Sequence, residues 1–204
     1  DIMTAVVEAV SIPVTMKMRT GWDETSRNAP QLARIAEETG IQMITVHGRT
    51  RCQFFKGHAD WSFIRQVKDV VQIPIIANGD IRSPQDAEEC LKLSDADGVM
   101  IGRAAEGRPW LINQIKQYLE SGKFVPNPTA EQIKSTVLKH YADILSHYGV
   151  GLGLRIARKH LCWYISGFQG AAELRAKLGR EENPDTVITL LKIFFNKQLE
   201  SAAA

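Results

Sequence analysis

The chain has too few cysteines for a disulfide framework. Cys52, Cys90 and Cys162 are the only three in 204 residues, an odd and widely spaced set. They form no zinc-binding pattern either, so no metal is expected and a reduced, cytoplasmic setting is. No apolar run approaches the length of a membrane span, and no signal-peptide pattern opens the chain. A membrane partner is therefore not expected. An excess of charge of one sign is also missing, since 25 Lys and Arg against 23 Asp and Glu leave a net +2. Any nucleic-acid surface must then be local rather than global. An initiator methionine is absent too: the chain starts at Asp1 and runs at once into a helical pattern, Thr4–Val10, so a fragment is expected.

What is present is ordinary for a soluble globular protein, with 44% hydrophobic and 24% charged residues. The length allows one domain or two smaller ones. The organising stretch is IPIIANGDI, Ile73 to Ile81. A short apolar run that switches at once to Asn78, Gly79 and Asp80 suits a strand buried on both faces, as in a parallel sheet. Its carboxyl end is where ligands bind in such folds.

Three other stretches repeat the arrangement. Val14–Arg19 alternates apolar and polar residues, Met43–Thr50 ends in His47, Gly48 and Arg49, and Gly98–Ile101 ends in Gly102 and Arg103. Helices fall between them. The first has Asn28 as cap, Pro30 in its first turn, an inward stripe of Leu32, Ile35, Ala36 and Thr39, and Gly40 as stop. The second comes after the long loop Arg51–Ala59 with Asp60 as cap, and the third opens with Ser83 and Pro84. Strand and helix thus alternate four times at the spacing of βαβ units. Four such units are half of an eight-fold barrel, and residues 1–125 are expected to form the second half of a TIM (β/α)8 barrel.

After a helix from Pro109 to about Glu120, Gly122 and Pro126-Asn127-Pro128 mark a boundary. Residues 126–204 then read as a small all-α bundle. Thr129 and Gln132 make a capping box, and Ile133, Val137, Leu138, Tyr141, Leu145 and Tyr148 a helical stripe. Gly149–Gly153 breaks the helix. Three more helices are expected at Leu154–Ser166, Ala171–Leu178 and Pro184–Leu199, the last capped by Asn183.

Several residues admit two readings. Gly102-Arg103 is either a turn with a solvated arginine or a phosphate site formed with the next helix N-terminus. Lys17 either snorkels to the surface or faces a ligand that develops negative charge, such as a reduced flavin. His47 is a core histidine or a ligand contact, and Asp80 a loop cap or part of the site. Arg49, Arg51, Lys56 and His58 surround Phe54 and Phe55, which suits RNA unless the rings pack inward. Arg155, Arg158 and Lys159 share a helix face one turn before Trp163 and Tyr164, again suiting RNA unless the face is merely solvated. Cys52 has no activating neighbour in the sequence and reads as a plain loop thiol.

Together the segments VTMKMRTGW (14–22), ITVHGRTRCQFFKGHADW (44–61), IPIIANGDI (73–81), GVMIGRAAEGRPW (98–110) and RKHLCWYISG (158–167) resemble the tRNA-dihydrouridine synthases, most closely the bacterial B-type branch. The resemblance implies an FMN-dependent barrel and a C-terminal helical domain that holds tRNA. NADPH reduces the flavin, hydride passes to C6 of a uridine, and an upstream cysteine protonates C5. Matched by motif, Lys17 would contact the isoalloxazine and Asn78, Gly79 and Asp80 would line the flavin. Gly102 and Arg103 would hold its phosphate, with His47 near flavin and uracil and Arg19 near the base. Arg49, Arg51, Arg155, Arg158 and Lys159 would meet tRNA. The first half-barrel and the catalytic cysteine of the family have no counterpart here, so this chain alone is expected to be inactive and to self-associate through its sheet edges. Two other functions compete: a non-catalytic RNA-binding or regulatory fragment, and a flavin barrel acting on a small molecule. The basic helical segment Arg155–Tyr164 speaks against the last.

Overall fold

The structure is a computed structural model that describes residues 2–203. It divides into two compact units. The first runs to Ala104 and takes in Leu111–Phe124; the second comprises Ala105–Trp110 and the chain from Val125 onward. The second unit resumes beside Pro126-Asn127-Pro128, and Ala105–Trp110 groups with it and not with the strands that precede it.

In the first unit a short helix α1 (Ile2–Ala9), with no buried residue, precedes β1 (Thr15–Arg19), α2 (Ala29–Thr39), β2 (Met43–His47), α3 (Trp61–Lys68), β3 (Ile75–Asn78), α4 (Pro84–Ser94), β4 (Gly98–Met100) and α5 (Trp110–Ser121). The strands form one parallel sheet in the sequential order β1-β2-β3-β4. Ile44 and Val46 of β2 and Ile75 and Ala77 of β3 are buried together with Ala33 of α2, Ile64 and Val67 of α3 and Ala87 of α4. Helices cover this face, so its strand residues are continuously apolar.

Two details of α2 differ from expectation. Its buried stripe is Ala29, Ala33 and Ala36, while Ile35 is exposed and Leu32 and Thr39 lie outside the buried set. Alanines let the helix lie close to its neighbours, and close approach displaces the larger side chains to its flanks. Asn28 occupies the cap position without a side-chain capping bond. The Ala29 amide donates instead to the Thr20 carbonyl. The other caps form as the sequence dictates: Asp60 accepts from the Phe63 amide and Ser83 from the Asp86 amide.

The second unit contains α6 (Ala130–Tyr148), α7 (Val150–Tyr164), α8 (Ala171–Leu178) and α9 (Pro184–Ala203) around a core that includes Val137, Tyr141, Ile144, Leu161, Leu178, Leu191 and Phe195. The Thr129–Gln132 capping box is complete, and the Asn183 side chain accepts from the Asp185 and Thr186 amides. Tyr148, expected on the inner stripe, is exposed. The break between α6 and α7 is Gly149 alone, at φ 74° and ψ 164°, and α7 starts at Val150 rather than Leu154. Gly153 is helical. A Cβ there would stand 3.0 Å from Leu145 Cδ2 and 3.1 Å from Leu145 Cα, so its glycine permits a close helix crossing and does not end a helix.

Candidate functional site at the carboxyl ends of the strands

Register decides the site. Arg19 pairs with His47, His47 with Asn78, and Asn78 with Met100, so these four residues form one row across the carboxyl ends of all four strands. The row behind it is Lys17, Thr45, Ile76 and Gly98. Because side chains alternate with period two, both rows project from the same face, opposite the helices. The sequence shows polar groups at each strand end. Only the register places them on one surface.

Asn78-Gly79-Asp80 turns sharply at the end of β3. Gly79 adopts φ 117°, and a Cβ would lie 2.8 Å from both Ala59 Cβ and His47 Cδ2, so glycine is what lets the His47 ring pack against this turn. Its carbonyl accepts from Trp61 Nε1 at 2.9 Å, and Asn78 Nδ2 donates to the Met100 carbonyl at 2.8 Å. Asp80 is held in the left-handed region at φ 56°. Its Oδ2 accepts from Arg49 at 2.6 Å and from the Ala59 amide at 2.8 Å. Its buried Oδ1 has no hydrogen-bond donor, while Arg82 and Arg103 stand 3.6 and 3.7 Å away. Burial by itself would raise this carboxyl, but the Ala59 amide and the Arg49 guanidinium outweigh it and hold the group below the usual carboxylate range.

Arg49 corrects an expectation. Its neighbours in sequence suggest a basic surface loop meeting tRNA, yet its side chain is 1% exposed and ranks first among the large buried side chains. Besides Asp80 it donates to the Lys56 and Gly57 carbonyls. A guanidinium buried among carbonyls and a carboxylate ties the β2–α3 loop to the β3 turn from within. Nη1 also lies 3.4 Å from His47 Nε2. Arginine only donates, so Nε2 accepts and the His47 proton resides on Nδ1.

His47 is buried and its pKa is pushed down to about 4, first by burial and then by Arg19, Lys17 and Arg49, against a smaller opposing pull from Asp80. The imidazole is therefore neutral among cations. Its folded pKa lies below the ordinary 6.5, so its contribution to stability is full above pH 6.5 and is lost as the pH falls toward 4. We expect the His47 ring signals in an NMR titration to stay those of a neutral imidazole through pH 6.5, and His47→Gln to flatten the loss of stability between pH 6.5 and 4. A ring that titrates at its ordinary pKa would contradict the burial argument.

The remaining cations have separate tasks. Lys17 is exposed on the sheet face, its pKa lowered by partial burial and by Arg19. Arg19 donates to the Thr50 and Phe54 carbonyls at 2.8 and 2.9 Å and so shapes the loop after β2. Arg51 lies over the Phe54 ring at 4.1 Å, and Arg103 over Phe55 at 4.8 Å. Phe54 and Phe55 point outward, 52% and 57% exposed. Gly102 is exposed, and a Cβ there would meet nothing within 4 Å. The chain continues from Gly102 into a three-residue 3-10 turn, Arg103–Ala105, and the next α-helix starts only at Trp110. A single turn has no appreciable macrodipole, so any anion site here depends on Arg103 and backbone amides.

In the helical unit the three basic residues do not share one solvent face. Arg155 and Lys159 are exposed, and Lys159 sits 5.2 Å over the Trp163 ring. Arg158 is half-buried and donates to the Glu181 carbonyl at 3.1 Å.

The family described as Dihydrouridine synthase (Dus) matches residues 1–200. The chain belongs to this family. It is 54% identical over 186 residues to a probable tRNA-dihydrouridine synthase of Rickettsia bellii (strain RML369-C), covering 91% of the chain and 57% of that protein. It is also 47% identical over 195 residues to the tRNA-dihydrouridine synthase B of Xanthomonas axonopodis pv. citri (strain 306), covering 96% of the chain and 59% of that protein. The chain thus spans less than two thirds of the length of these relatives. Among solved structures, a mandelate oxidase mutant with benzaldehyde aligns over 95% of the chain and 59% of its own, with 16% identity and a TM-score of 0.37, too low to bear on the fold.

Sequence reasoning gives no role to two members of the candidate site. Trp61 reads as an ordinary helix residue, although it comes directly after the Asp60 cap, and its indole N–H fixes the Gly79 carbonyl. Arg82 lies two residues beyond Asp80 and carries no motif of its own. Of the three thiols, Cys90 is buried and pushed up to about 12, Cys52 is exposed in the loop after β2, and Cys162 lies on α7 of the helical unit. Among the described residues no cluster could hold a metal, and no helix is long and apolar enough to cross a membrane.

Proposed function

We propose that the protein carrying this chain is an FMN-dependent oxidoreductase that reduces a uridine of tRNA to 5,6-dihydrouridine with NADPH, and that these strands are the second half of its TIM barrel. The observation that supports it most is the row Arg19–His47–Asn78–Met100 with Lys17 behind it, in a chain of the dihydrouridine synthase family.

The residues present fit an anionic, partly aromatic cofactor. Lys17, Arg19 and Arg103 gather positive charge on one face, and the nearby Asp80 carboxylate is already neutralised by Arg49. Arg103, 57% exposed and 3.7 Å from Asp80, keeps donors for a phosphate. The bound flavin would supply the hydride delivered to C6 of the base. Lys17 places a cation where negative charge would accumulate during reduction. Neutral His47 offers its Nδ1–H without adding a competing charge, and Asn78 and Gly79 line the same surface. Arg19 and Arg51 stand toward the substrate, and Arg155 and Lys159 of the helical unit contact tRNA phosphates. The proton for C5 would come from a group elsewhere in the full-length protein. By itself the chain would then be inactive, and its outer strands β1 and β4 would favour self-association.

The test uses the full-length protein that contains this chain. It should retain flavin and consume NADPH only with unmodified tRNA, and Lys17→Ala or Arg103→Ala should weaken flavin retention about tenfold or more. A colourless protein that binds tRNA without reducing it would replace this reading with a non-catalytic RNA-binding role. Full flavin retention in both variants would overturn the site placement.

A further inference from the structure

Beside the candidate site, the first unit carries a layer of exposed rings alternating with guanidinium groups. Trp22, Phe54 and Phe55 are 64%, 52% and 57% exposed. Arg51 lies 6.0 Å from the Trp22 ring and 4.1 Å from Phe54. Phe55 has Arg19 at 5.7 Å and Arg103 at 4.8 Å.

The layer is built, not incidental. The β1–α2 and β2–α3 loops are zipped by three backbone bonds, Thr20 amide to Arg49 carbonyl, Arg51 amide to Gly21 carbonyl and Cys52 amide to Trp22 carbonyl. Arg19 donates to the Phe54 carbonyl, which holds Phe54 at φ 53°, a backbone region that favours glycine. A bulky apolar ring held outward in an unfavourable conformation is hard to explain by folding alone. Asp23 of the first loop is tied to its own loop through Thr25 and Ser26, while Glu24 pairs with Arg27 at 3.7 Å and stays exposed.

We propose that Trp22, Phe54 and Phe55, with Arg51, form a stacking platform for unpaired nucleobases of RNA, holding the strand that flanks the reacting base. The naming of RNA rests on the proposed function. The face of each ring that no guanidinium covers can take any base, and Arg51 supplies both cation–π contact and charge for the phosphates. A paired helix keeps its bases stacked on one another and offers these rings nothing. The platform therefore selects single-stranded or extruded nucleotides over duplex.

The experiment uses the full-length protein that contains this chain, freed of flavin, and a labelled oligo-uridine of about eight nucleotides, with an RNA duplex of the same length as comparison. Single strand should bind more tightly than duplex. Trp22→Ala and Phe54→Gly should each weaken single-strand binding about tenfold. Phe54→Gly also relieves the left-handed backbone, so its thermal unfolding midpoint should not fall, which separates lost stacking from lost folding. Trp22→Phe should retain most of the affinity. Equal affinity for single strand and duplex, no single-strand binding, or unchanged affinity in both ring-removing variants would overturn the platform. Because no flavin enters, a full-length protein that fails to hold flavin while the ring dependence persists would sink the proposed reaction and leave the platform standing.

Discussion

Replacing Arg49 by methionine should destabilise the first unit by about 3–5 kcal/mol, the cost of leaving a buried charge without its partner. The methionine keeps much of the volume but takes from Asp80 its 2.6 Å ion pair, leaving the Ala59 amide on Oδ2 and the more distant, exposed Arg82 and Arg103 at 3.6 and 3.7 Å from Oδ1, and it strips donors from the Lys56 and Gly57 carbonyls. Adding Asp80→Asn should recover part of the loss, because the second charge is then gone and asparagine tolerates the left-handed backbone at residue 80. Denaturant titration of the two single variants and the double variant measures the coupling. Single and double effects that simply add, or an Arg49→Met loss below about 1 kcal/mol, would show that the pair is not what joins the two loops. The same variants bear on the site. Arg49 contacts His47, so its removal frees the ring from one of the groups that lower its pKa.

Gly107→Ala should cost about 2–5 kcal/mol in the second unit, combining an unfavourable backbone with overpacking. The residue sits at φ 71°, and a Cβ would come within 2.5 Å of the Trp163 carbonyl carbon, 2.6 Å of its oxygen and 2.8 Å of the Tyr164 nitrogen. All three are main-chain atoms at the end of α7, so no side chain can swing aside. The helix end would have to shift, disturbing Tyr164, whose ring packs near Trp110 and His140. Unfolding monitored together with the near-ultraviolet aromatic signal should register both effects. Gly102→Ala is the control: nothing lies within 4 Å of its Cβ, and stability should change by no more than about 0.5 kcal/mol. Equal effects at the two glycines would refute the steric argument.

Local chemistry made much of this fold legible. The caps Asp60 and Ser83, the Thr129–Gln132 box and the four apolar runs with polar ends all depend on neighbours a few residues apart, which a sequence displays directly. The failures have one common cause. Which side of α2 faces inward, whether Gly153 breaks a helix or admits one, and whether Ala105–Trp110 stays with the strands are set by how closely distant segments approach. Arg49 illustrates the difference most clearly. In the sequence it stands among other basic residues and reads as surface charge. In the fold it is enclosed, because the carboxylate that neutralises it is 31 residues away.

The sequence by itself determined a repeated strand–helix unit, a polar terminus for each strand, a helical segment after the proline-rich boundary and membership of the dihydrouridine synthase family. The tertiary structure alone decided that Arg19, His47, Asn78 and Met100 stand in one row, that Arg49 is internal, and that Trp22, Phe54 and Phe55 are presented together. Parallel register and loop zippering are made by hydrogen bonds between segments far apart in the chain, and a side chain's surroundings are set by those bonds and not by its neighbours in sequence.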